Sequence, residues 1–136
     1  MKKFTSSFAV IMIVVFCSFT EKNPWLAPKE AEGLVNPYEK NPTAMKAGAA
    51  IFTQQCVVCH GEKGKGDGIA AAGLDPKPAN LTSDKVQNNT DGSLFWKITN
   101  GRTPMPTFKG ILTDQQRWQV VSYLREFRPK NLSAKK

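Results

Sequence analysis

Histidine is nearly absent from this chain of 136 residues, which contains one, His60, and only three cysteines, Cys17, Cys56 and Cys59. A single imidazole excludes catalytic or metal sites built from several histidines. Without a second cysteine pair, Cys56, Cys59 and His60 also fall short of the four ligands of a closed structural zinc site. Long apolar runs are missing too. The longest, Phe8 to Phe19, is interrupted only by Ser18 and is well short of the ~20 residues that a spanning helix requires. There is no internal repeat and no low-complexity tract, and the length suits one small domain. The formal charge is +8. Yet Lys40, Lys46, Lys63, Lys65, Lys77, Lys85, Lys97, Lys109 and Arg117 are spread through the sequence instead of clustering on one element, which argues against a nucleic-acid partner.

The chain divides into four stretches. Lys2 and Lys3 followed by the apolar run read as an export signal over residues 1–19. With no clear small-x-small cleavage site after it, an uncleaved anchor is the competing reading. Cys17 offers a lipoprotein-type alternative, against which stands the bulky Phe16 before it. Residues 20–40, punctuated by Pro24, Pro28 and Pro37, read as a linker or extended arm that Trp25, Leu26, Leu34, Val35 and Tyr38 would dock. Residues 41–128 form the structured domain, and residues 129–136 a basic tail.

Within the domain the periodicity predicts three main helices and almost no strand, an all-α fold. Asn41 caps the first and Pro42 takes its first position, where a missing N–H costs nothing. It runs to about Gln55, with Ala44, Ala47, Gly48, Ile51 and Phe52 on a narrow face of mostly small residues. The second starts near Asp91, covers Ser93 to Asn100 and stops at Gly101. The third opens with a capping box, Thr113 and Gln116, and carries Trp118, Val120, Val121, Tyr123, Leu124 and Phe127 on one broad stripe before Pro129. Between the first two helices lies a long glycine-rich loop, Gly61 to Leu74, followed by Asp75, Pro76, Lys77 and Pro78. Such a loop in a small domain needs a reason.

The reason stands just before it. Cys56-Val-Val-Cys-His60 is a C-x-x-C-H motif, the pattern of covalent haem attachment, in which two thiols add to the vinyl groups and the adjacent imidazole binds the iron. Three other readings compete: a disulfide oxidoreductase pair, half of a zinc site, and a plain disulfide. A helical domain without a βαβ pattern disfavours the first, and the missing partners disfavour the second. The lone histidine cannot fill both axial positions, so a sixth ligand must be another residue type. Met45 lies in the first helix and reads as core. Met105 lies between Pro104 and Pro106, which predict a stiff, extended segment suited to holding a thioether at a fixed place. A soft sulfur ligand there would favour reduced iron.

With these residues in view, the chain resembles the class I c-type cytochromes, small monohaem electron carriers. The resemblance rests on Cys56-Val-Val-Cys-His60, Gly61-Glu-Lys-Gly-Lys-Gly-Asp-Gly68, Asn100-Gly-Arg-Thr-Pro-Met-Pro106 and the C-terminal segment Leu112 to Arg125, and it covers most of Asn41 to Arg128. It implies a cytochrome c-like fold of three main helices and long loops around one haem c. Cys56 and Cys59 would form its thioether bonds, with His60 the proximal and Met105 the distal ligand. It further implies that the Pro78 carbonyl orients the His60 ring. Gly48 and Phe52 would meet Val120, Tyr123 or Leu124 at a crossing of first and last helices. Leu81, Phe95, Ile98, Phe108 and Leu112 are candidates to wall the haem, and Arg102 to reach a propionate.

The function implied is reversible one-electron transfer between a protein donor and acceptor, with no substrate bond broken and hence no enzyme. A haem enzyme or gas sensor with an open sixth position is the alternative. The carrier would be exported to the periplasm, either soluble or tethered to the membrane at its N-terminus, and either diffusible or a subunit of a respiratory or dehydrogenase complex. Its basic surface would steer an acidic partner.

Overall fold

The structure, a computed structural model, describes residues 24–130. The expected export signal with Cys17, and most of the basic tail, lie outside the described residues. Among the described residues six α-helices follow one another: α1 Lys29–Glu32, α2 Pro42–Gln55, α3 Val57–His60, α4 Asp84–Gln87, α5 Asp91–Asn100 and α6 Asp114–Leu124. Among the described residues there is no strand, only the isolated bridges Arg102–Met105 and Lys109–Leu112.

The three long helices begin where their capping chemistry places them. The Asn41 side chain accepts from the Ala44 amide at 3.0 Å. At the start of α6, Thr113 accepts from the Gln116 amide at 3.2 Å while the Gln116 side chain accepts from the Thr113 amide at 2.9 Å, the expected reciprocal box. Thr90, a cap not singled out from sequence, accepts from the Ser93 amide at 3.1 Å and starts α5. The short helices α1, α3 and α4 are single turns, too brief for hydrophobic periodicity to reveal.

Helices α2 and α6 cross at closest range. A Cβ on Gly48 would lie 2.0 Å from the Gln119 carbonyl oxygen and 3.0 Å from the Tyr123 Cβ, so the missing side chain is what lets the backbones meet. About one turn on, the Phe52 ring packs at 5.4 Å from Tyr123 and 5.3 Å from Phe127. Phe52 is buried with Val120, Val121 and Leu124, and this cluster runs on through Leu81, Leu94, Ile98, Phe108 and Leu112.

The segment before the first long helix packs on the domain through only some of the residues whose size suggested it, for Trp25 and Tyr38 are half-buried. Leu26, Leu34 and Val35 are 70%, 46% and 81% exposed, whereas Ala27, Ala31 and Asn36 are buried. The cause is the surface beneath. A Cβ on Gly92 would lie 1.9 Å from the Ala31 carbonyl oxygen, so α1 lies on α5 at a distance only small residues permit. Asn36 then donates to Asp91 at 2.8 Å and to Ser122 at 3.1 Å, and Ser122 donates to the Tyr38 carbonyl at 3.1 Å. Asp91 also holds Arg125 of the α6 end at 2.5 Å, so one polar network ties the segment to α5 and α6.

Candidate functional site

Cys56 stands at the joint between α2 and α3: its amide donates to Phe52 at 2.8 Å, and its carbonyl accepts from Cys59 at 3.1 Å and from His60 at 2.8 Å. The single turn of α3 therefore presents Cys56, Cys59 and His60 at helical spacing, as haem attachment through this motif requires. Both thiols are unbonded and half-buried, contrary to a plain disulfide. Burial, and secondarily the neighbouring Cys59, pushes the Cys56 thiol up to about 12. Among the described residues no group of three or more His, Cys, Asp or Glu is placed to hold a metal ion, so the zinc reading lacks its donor set. The absence of strands among these residues likewise leaves the oxidoreductase reading without its sheet.

His60 Nδ1 lies 3.2 Å from the Ala79 carbonyl oxygen. A carbonyl only accepts, so Nδ1 carries the proton and Nε2 is left with its lone pair available to a metal. Burial lowers the imidazole pKa, partly offset by this hydrogen bond, which favours the neutral ring a metal needs. The orienting carbonyl is thus that of Ala79 and not of Pro78, one residue from the expectation. The register explains the shift: Leu81 donates to Gly64 at 2.6 Å, and the Pro78 oxygen faces Gly66, where it would lie 2.4 Å from a Cβ. In extended chain successive carbonyls alternate in direction, so the next one turns to the ring.

The glycine-rich loop also has its reason. Gly66, Gly68 and Ala70 donate to the carbonyls of His60, Cys59 and Val58 at 2.8, 3.1 and 2.9 Å, satisfying acceptors that the end of α3 leaves open. Glycine is needed for the approach: Gly66 has φ +78°, and a Cβ on Gly68 would lie 2.5 Å from two carbonyl oxygens of α3.

Met105 sits in a different kind of loop. The sequence predicts an extended segment, but the structure makes a tight turn, with Arg102 donating to Met105 at 3.0 Å and Met105 to Arg102 at 2.9 Å. Gly101, at φ +64°, reverses the chain so closely that a Cβ would lie 2.4 Å from the Pro106 oxygen. The loop then returns to α5: Phe108 donates to Ile98 at 3.2 Å, Lys109 to Thr99 at 3.1 Å and the Thr107 hydroxyl to Thr99 at 2.6 Å. Half-buried Met105, Cys56 and Phe95 pack against one core cluster containing Leu81, Ile98, Phe108 and Leu112, so both ends of the candidate site and its apolar wall are brought together. These residues fit a haem: two free thiols, an oriented imidazole, a thioether and an apolar lining.

Arg102 is exposed, with its guanidinium 5.0 Å from the centre of the Trp25 ring. Sequence reasoning missed Arg117. It is buried on α6, pairs with Asp114, lies 5.1 Å over the Phe95 ring and reaches the Phe108 carbonyl at 3.5 Å. Phe95 stacks on its other neighbour, Trp118, at 4.1 Å. The only sequence signal was Asp114 at i−3, common on exposed helix faces.

A family profile described as cytochrome C oxidase, cbb3-type, subunit III matches residues 43–124. The chain is 30% identical over 77 residues to cytochrome c6 of Parathermosynechococcus lividus, covering 57% of this chain and 83% of that protein. It is 41% identical over 69 residues to the cbb3-type cytochrome c oxidase subunit FixP of a Bradyrhizobium species, which covers 48% of this chain but only 21% of the subunit. Among solved structures, a chain of the Kuenenia stuttgartiensis reducing HAO-like protein complex superposes with a TM-score of 0.63 at 30% identity, over 71% of this chain and 48% of that one. Together with the all-helical fold and the C-x-x-C-H turn, these likenesses show that the chain belongs to the family that this profile describes and is a class I c-type cytochrome, a monohaem electron carrier.

Proposed function

We propose that the chain carries one haem c through Cys56 and Cys59, with His60 and Met105 as its axial ligands, and passes single electrons between protein partners without breaking a substrate bond. The observation that carries this reading is the hydrogen bond from His60 Nδ1 to the Ala79 carbonyl, which directs a bare Nε2 from the end of the turn that bears both thiols. The haem, when bound, supplies an iron that alternates between ferric and ferrous states. The chain supplies the rest. Cys56 and Cys59 fix the group to α3, and the Ala79 carbonyl keeps His60 in one tautomer and raises its basicity as a ligand. The Met105 sulfur favours the reduced state, while Leu81, Phe95, Ile98 and Phe108 exclude water, so little solvent reorganises on electron transfer.

Filling both axial positions leaves no place for a substrate on the iron, and with His60 used as a ligand no other histidine is present for acid–base chemistry, which supports a carrier over an enzyme or gas sensor. The basic surface suits acidic regions on donor and acceptor. Similarity to an oxidase subunit and to a chain of a reducing protein complex supports work within such an assembly as well as free diffusion. Attachment of haem c belongs with export, so we place the domain in the periplasm, soluble or tethered by the N-terminal segment.

The test is expression in a host that matures c-type haem. The purified protein should gain the mass of one haem and remain coloured after denaturation. Its spectra should be six-coordinate and low-spin in both oxidation states, without carbon monoxide binding. A high-spin ferrous form that binds carbon monoxide at once would instead indicate an open sixth position.

A further inference from the structure

The N-terminal segment passes, at Trp25, beside the turn that holds Met105. The Trp25 ring is 5.0 Å from the Arg102 guanidinium and 5.9 Å from the Lys97 ammonium. Arg102 opens the Met105 turn and makes both of its closing backbone hydrogen bonds, and Lys97 lies in the last turn of α5, from which that turn departs. The two cations repel one another: Arg102 lowers the pKa of Lys97, after the larger effect of burial, while Glu32 of α1 raises it. The π face of one residue thus meets two cations at the base of one loop. The segment is fixed independently of Trp25 by the close packing of Ala31 on Gly92 and by the Asn36 bonds to Asp91 and Ser122.

We propose that the segment from Trp25 to Asn36 is a clamp on the distal loop, in which the Trp25 ring gathers Arg102 and Lys97 and so holds the Arg102–Met105 turn in its ligating position. Trp25 is then a positioning residue for the Met105 sulfur. The inference rests on the reading of Met105 as the sixth ligand. Loss of the shared ring is expected to shift the ligation equilibrium about tenfold, which corresponds to ~1.4 kcal/mol.

The experiment compares the full-length holoprotein with Trp25→Ala, Trp25→Phe and Gly92→Ala, the last lifting α1 from α5 without touching the ring. The readouts are the weak red band of methionine on ferric iron, carbon monoxide uptake by the ferrous form, and the helical circular dichroism melt. Trp25→Ala and Gly92→Ala should each raise the fraction of protein lacking Met105 ligation about tenfold, seen as a weaker band and faster carbon monoxide uptake, at unchanged helix content. Trp25→Phe, which keeps a π face, should restore most of the ligation. A parent with the band, and variants indistinguishable from it in band and uptake, would overturn the clamp while leaving the ligand in place. Equal losses in Trp25→Phe and Trp25→Ala would overturn it as well, since packing and not the cation–π contact would be responsible. A parent without the band would overturn the ligand reading and the clamp with it.

Discussion

The two loops that present the candidate iron ligands are built on opposite plans. The loop after His60 is held by its own neighbourhood: Gly66, Gly68 and Ala70 return to the turn they have just left, and Leu81 bonds to Gly64. The Met105 turn closes on itself through two hydrogen bonds and returns to the end of α5, which it has just left, through Ile98 and Thr99, but it also depends on distant elements, on α6 through Arg117 and on the N-terminal segment through Trp25. Locally closed structure forms at little loop-closure cost, whereas a loop pinned by remote elements is only as firm as their packing. The side that bears the candidate attachment residues is therefore self-contained, and the Met105 side is where the remainder of the fold reaches the candidate site.

The largest expected effect removes the proximal side altogether. Replacing both Cys56 and Cys59 by Ala should abolish covalent attachment, so that acidified organic solvent extracts any haem that the parent retains. Gly48→Ala comes next and strikes both loops alike. A methyl group 2.0 Å from a backbone oxygen must force α2 and α6 apart, and denaturant titration should show a loss of about 3 kcal/mol. Met105→Ala breaks only the distal side. The reduction potential should fall by on the order of 100 mV, within the ~0.8 V span that axial ligands cover, and the ferrous form should bind carbon monoxide. A matched pair of glycine substitutions sharpens the contrast. Gly101→Ala, at φ +64° and 2.4 Å from the Pro106 oxygen, should weaken the red methionine band with little change in melting. Gly66→Ala, at φ +78° and 2.4 Å from the Pro78 oxygen, should keep that band. By displacing the Ala79 carbonyl it should raise the potential slightly, because a less basic imidazole stabilises ferric iron less.

The same division decides what the sequence revealed. Cys56, Cys59 and His60 were legible because their chemistry sits in five consecutive residues, and the long helices because capping and periodicity are local. The Asn41, Thr113 and Gln116 caps stand where expected. The Pro78 expectation missed by one residue because the choice between neighbouring carbonyls depends on the pairing of Leu81 with Gly64, across a loop. The Met105 segment was expected to be extended from its prolines alone, but the turn comes from Gly101 and from anchors on Thr99 and Ile98. Of the large apolar residues expected to dock the N-terminal segment, Trp25 and Tyr38 are half-buried but Leu26, Leu34 and Val35 stay exposed, because the closest approach is that of Gly92 to the Ala31 backbone, visible only once the two are in contact. Arg117 gave no sign of burial because its partners, Phe95 and Phe108, come from other elements.

The most direct test of the central claim is a potentiometric titration of the intact holoprotein, followed at the reduced haem absorption and at the red methionine band. One haem held by His60 and Met105 in both oxidation states predicts a single reversible one-electron wave. The band should vanish on reduction and return in full on oxidation, with no carbon monoxide bound at any potential. More than one wave, a ferric form without the band, or carbon monoxide uptake on reduction would contradict it.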